Sequence, residues 1–135
     1  MAARAAPCDR HRGDMKHLII AFVVAAAGLA HAADSSEVSA DQARKWVALF
    51  DKIVDSVVAD RNDCDGMAAH INGLVVVNQP TIAMAREAKA QGKHLPAAAQ
   101  QHMLDGARRM VGAMDKCGRD EKVAAAFRHL DLGNR

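Results

Sequence analysis

Tyrosine is absent from this chain, and past residue 33 the aromatics are only Trp46, Phe50 and Phe127. Three rings are too few for a base-stacking platform. No basic stripe accompanies them, so no nucleic-acid partner is expected. There is no Cys-x-x-Cys, which excludes a thioredoxin-like redox motif. There is no Cys-x-x-Cys-His, which excludes ordinary covalent haem attachment. Neither a Gly-x-Ser-x-Gly elbow nor a metalloprotease His-Glu-x-x-His occurs. The acidic residues are spread along helix faces among Lys and Arg, as solvated charges are. No catalytic group emerges, and the chain is read as a non-enzyme.

The net charge of +2 largely comes from the first residues. Four of the 18 basic and two of the 16 acidic residues precede residue 33, which leaves 14 of each beyond it. Those early residues look like an export leader. Arg4, Arg10, Arg12 and Lys16 come before the apolar run Leu18–Ala30, and small residues stand at Ala30 and Ala32. A basic start, a short apolar run and an Ala-x-Ala site make a secretory signal, expected to be cut between Ala32 and Ala33. The run is shorter than the roughly 20 apolar residues of a spanning helix. No cysteine follows the cut to carry a lipid, so no stable membrane anchor is expected after cleavage. Met15 alone already opens a complete leader, which makes it the expected start of translation. The product would be periplasmic or extracellular, with residues 33–135 as a single domain. Its size allows a modest core.

Cys8 leaves with the leader, and Cys64 and Cys117 remain. An even pair in an oxidising compartment predicts a disulfide. "ADRNDCDG", residues 59–66, surrounds the first of them with acids, and a calcium loop is the competing reading. An EF-hand needs oxygen ligands at positions 1, 3 and 5, glycine at 6 and glutamate at 12. Counting from Asp60 places Cys64 at 5 and Ile71 at 12. Counting from Arg61 places Gly66 at 6 but Asn72 at 12. Both registers fail, and the stretch reads as a helix junction with a disulfide anchor.

The rest reads as helix. Ser39 and Gln42 form a capping box, and Trp46, Leu49, Phe50, Ile53, Val54, Val57 and Val58 line one face as far as Asp60. That face is wide for a helix packed on one side only, so a homodimer through it is one expected form. A second helix starts near Cys64, capped by Asp63 or Asp65. Its stripe is Met67, Ile71, Leu74, Val75, Asn78, Ile82 and Ala85, running to about Ala90. Pro80 lies inside it and predicts a kink, with a break into two helices as the alternative. Gly92 ends this helix and Pro96 is expected as the first residue of the next. Met103, Ala107, Met110, Met114 and Cys117 then form a narrow seam up to Gly118. Asp120 caps a short last helix carrying Val123, Ala124, Phe127 and Leu130, before a fraying tail.

The expected fold is therefore all-α: a small bundle of three long helices and a short C-terminal one. The second and third helices form an antiparallel hairpin, stapled at its open end by Cys64–Cys117. In that register Met67 lies level with Met114 and His70 with Val111. Met67, His70, Met110 and Met114 would then cluster, and thioether with imidazole suits copper(I) or a non-covalent haem. Methionine at heptad spacing also serves as plain packing, and packing is the primary reading, with no cofactor. His94, His102 and His129 are expected on the surface. The function that fits best is an exported, non-enzymatic binding, chaperone-like or scaffold protein whose partner is a protein or small ligand. A copper or haem carrier is the alternative.

Overall fold

A computed structural model describes residues 36–130. The expected leader, its cut at Ala32–Ala33 and the tail past Leu130 lie outside the described residues. The described residues form five helices: α1 (Ala40–Ala59), α2 (Cys64–Val77), α3 (Gln79–Ala90), α4 (Ala97–Ala113) and α5 (Glu121–Arg128). None is long and apolar enough to cross a membrane. The all-α bundle with its Cys64–Cys117 pair is the fold that the helical periodicity predicts.

The first helix starts where its cap requires. The Ser39 hydroxyl accepts from the Gln42 N–H, and the Gln42 side chain accepts from the Ser39 N–H. At the next junction the Asp63 carboxylate accepts from the Gly66 N–H at 3.0 Å. A Cβ on Gly66 would lie 2.5 Å from that carboxylate, so glycine is what lets this cap close.

Pro80 breaks the helix instead of kinking it. It has no N–H to offer the carbonyl of Val76 and it crowds the residue before it. The chain accordingly leaves helical geometry at Asn78 (φ −115°, ψ 22°) and restarts at Gln79. Side chains tidy the gap. Asn78 Nδ2 donates to the Leu74 carbonyl at 2.8 Å and Gln79 Nε2 to the Val75 carbonyl at 3.0 Å. At the end of α3, Gly92 takes a positive φ of 69°. The N–H of Gly92 then reaches the Lys89 carbonyl and that of Lys93 reaches the Ala88 carbonyl, the paired bonds of a Schellman turn. Pro96 proves to be the cap of α4, one place before its first helical residue.

The expected hairpin does not form. No Cα of α2 or α3 approaches a Cα of α4 within 8 Å. Instead α4 lies along α1, and α5 lies along α2. Both pairs run parallel. His102 meets Asp51 and Arg109 meets Asp55 across α4 and α1, while Lys122 meets Asp65 and His129 meets Asn72 across α5 and α2. The physical reason is on α1, which offers apolar side chains over an arc wide enough for two neighbours. Ala43, Trp46, Leu49, Phe50, Ile53, Val54 and Val57 are all buried, with α4 on one flank and α2 and α3 on the other. Gly106 permits the first of these contacts. A Cβ there would sit 2.5 Å from Phe50 Cε1 and 3.2 Å from Val54 Cγ2. The wide face that pointed to a homodimer is thus covered within one chain.

α4 also ends sooner than its methionine seam implies. Its last helical residue is Ala113, Met114 is the cap, and 114–119 form turns. Gly118 N–H bonds back to the Met114 carbonyl at 2.7 Å. These turns carry Cys117 sideways to Cys64, with the two Cα atoms 5.2 Å apart. A single apolar core results, running from Trp46 through Met67, Ile71, Ile82 and Met110 to Leu130.

Candidate functional site

The acids of residues 59–66 each have a structural task. Asp60 closes α1 and its carboxylate takes the His70 ring, Asp63 caps α2, and Asp65 pairs with Lys122 at 2.6 Å. That pairing holds the Lys122 ammonium above its ordinary proton affinity, first by the hydrogen bond and then by the carboxylate charge. Lys116 Nζ donates to the Asn62 carbonyl at 2.8 Å, tying the turn after α4 to the turn before α2. The corner is a junction held by one disulfide and several charged bonds. Among the described residues no group of three or more His, Cys, Asp or Glu stands together as a metal would need.

The Met/His cluster divides. Met67, Met110 and Met114 are buried core residues. His70 is not with them. Its side chain is 65% exposed and its Nδ1 lies 2.5 Å from Asp60 Oδ2. Its exposed ring is held by Asp60, whereas the three methionines lie in the interior. The structure does not assemble the four residues as a ligand set.

The other histidines tie elements together. His102 Nε2 lies 2.7 Å from Asp51 Oδ1, and His129 Nδ1 lies 3.1 Å from the Asn72 amide oxygen. His94 is half-buried, not surface as expected. Its backbone pairs with the segment before α1, through Val38 N–H to the His94 carbonyl and His94 N–H to the Ser36 carbonyl. Its Nε2 stands 3.8 Å from Glu37 Oε1. At the start of α1, Lys45 and then Arg44 hold the Asp41 carboxyl below its usual range.

The α2–α3 break carries exposed apolar side chains. Val76 and Val77 are 71% and 73% exposed, the two most exposed large apolar residues among those described. They project just where Pro80 leaves the Val76 carbonyl without its helical donor. The sequence carries the signal, a Val-Val-Val run two residues before a proline. A helical stripe can bury only part of such a run, and here Val75 is the one buried. A second apolar surface is an open groove of about 400 Å³ between α1 and the start of α4, floored by Ala43, Val47, Ala48, Ala98 and Ala99. Comparison with protein-family models, with curated proteins and with solved structures gave no match to this chain.

Proposed function

We propose that this is an exported, disulfide-stapled helical protein that acts by holding polypeptide segments, without catalysis. The observation that carries the reading is the exposed Val76–Val77 pair at the proline break. Adjacent β-branched side chains in water, beside a carbonyl lacking its helical donor, offer a partner both an apolar contact and a hydrogen bond. The leader-like residues 1–32 and a bridge suited to an oxidising compartment support export to the periplasm or beyond. Amino-terminal sequencing of the exported form should begin at Ala33, and a start well before it would remove the export half of the reading.

The docking half is tested by light scattering with a chemically denatured client protein. The intact protein is expected to suppress the client's aggregation. The variant Val76→Ser/Val77→Ser is expected to lose most of that effect while keeping its melting temperature, because neither side chain is buried. Equal suppression by the two proteins, or none by either, sinks the proposal. Native against denaturing mass spectrometry addresses the carrier alternative. An extra mass released on denaturing would put a bound metal, haem or small ligand in place of the polypeptide.

A further inference from the structure

Three carboxylates along one stretch of chain meet three histidines from the elements packed around it. Asp51 in the middle of α1 faces His102 of α4, Asp60 at its C-cap faces His70 of α2, and Glu37 ahead of it faces His94 of the α3–α4 turn. The first two are hydrogen bonds and the third is a looser approach. We propose that Asp60 at the end of α1 is the anchor onto which protonated His70 clips α2, so that the bundle tightens as pH falls below neutrality and loosens as pH rises past it.

The geometry carries this. The clip joins two different helices, so its strengthening stabilises tertiary packing and not a single helix. Protonation turns a hydrogen bond between imidazole and carboxylate into a hydrogen-bonded ion pair. The surroundings of the ring favour it. Asp60 faces His70 from α1 with its side chain only 16% exposed, and Asp63 adds negative charge from the α1–α2 turn, where Arg61 stands on the surface. From α5, Lys122 is engaged by Asp65 and His129 by Asn72. From α3, Arg86 donates to the His129 carbonyl. The hydrogen bond to Asp60, then the charges of Asp60 and Asp63, raise the proton affinity of His70 above the ordinary imidazole value.

The sign follows from the raised value at His70. Its contribution is complete below the proton affinity of an unfolded histidine and disappears as pH rises through the higher folded one.

The test is thermal unfolding at about pH 5.5 and about pH 8 in low salt, with the disulfide intact. The wild-type midpoint is expected to fall by about 3 °C or more between the two. His70→Gln should remove that fall. Asp60→Asn should remove it by the opposite route, and it keeps the readout available if the histidine variant folds poorly. His129→Gln is the control, because its ring pairs with the neutral amide of Asn72 and the fall should survive. A wild-type midpoint that is flat or rises with pH overturns the proposal. So does a fall that persists in both variants.

Discussion

Loss of the Cys64–Cys117 bridge is expected to cost about 4 kcal/mol of stability. The bonded cysteines are 53 residues apart in sequence. Untying a loop of that length returns to the unfolded chain the freedom that the bridge denies it. Against a total of about 5–15 kcal/mol for an ordinary domain, the loss is large. For a domain of this size it corresponds to a fall of roughly 20 °C in melting temperature. The packing offers little in compensation. α2 and α4 do not lie against each other, so beyond the buried Met67, Met114 and Cys117 the junction of their ends rests on the bridge and on exposed bonds such as Lys116 to the Asn62 carbonyl, and exposed bonds of that kind contribute little. Scanning calorimetry of the Cys64→Ser/Cys117→Ser variant measures the effect, and reductant added to the wild type should reproduce it. A midpoint within about 3 °C of the oxidised protein would mean that packing, not the bridge, closes this end.

Ile82→Ala is the second large effect, expected at about 3 kcal/mol. Ile82 is the one buried residue of α3 and is wholly removed from solvent. Other core positions share their helix with several buried neighbours, which limit the damage of any one truncation. α3 has no such reserve. Beyond its Schellman turn, its tertiary attachment includes the exposed Arg86 bond to the His129 carbonyl. Truncating Ile82 should therefore lower global stability and also let α3 open locally. Amide exchange in 83–90 is expected to accelerate more than exchange in α1. Exposed Ala83→Ser is the matched control and should change little. Equal acceleration across all five helices would mean that α3 opens only with the whole protein.

The difference between what the sequence discloses and what it withholds is clearest on α1. The capping box at Ser39 and Gln42 and the run from Trp46 to Val57 are local facts, and they place the helix and its buried face correctly. What lies against that face is not local. A stripe records that a side chain leaves water and says nothing of its neighbour. Two antiparallel arms joined by a short turn are the simplest way to join a cysteine pair, so the sequence favours a hairpin. The observed pairing depends on an arc of apolar residues wide enough for two partners, and on Gly106. That glycine, in the middle of a helical pattern, is the one local sign of a close helix approach. The candidate site divides in the same way. Met67, Met110 and Met114 are legible as core from their spacing. The exposure of His70 goes with its bond to Asp60, a contact ten residues apart that helical spacing does not show. The break at Pro80 was an open alternative, because a proline weakens a helix wherever it falls and tertiary packing decides whether the two halves stay in line.

The parallel pairings have a consequence for how the chain must fold. Asp51 meets a histidine 51 residues later, while Asp65 and Asn72 meet partners 57 residues later. Helical bundles usually fold fast because their contacts are close in sequence. Here α1 waits for α4 and α2 waits for α5, so the order is interleaved. A chain emerging amino-terminus first holds an amphipathic rod whose second flank stays uncovered until residues 97–113 arrive, and Cys64 stays without its bridge partner until residue 117 does. The amino-terminal half completes its fold only once the carboxyl-terminal half has joined it, which keeps the nascent chain open for most of its synthesis.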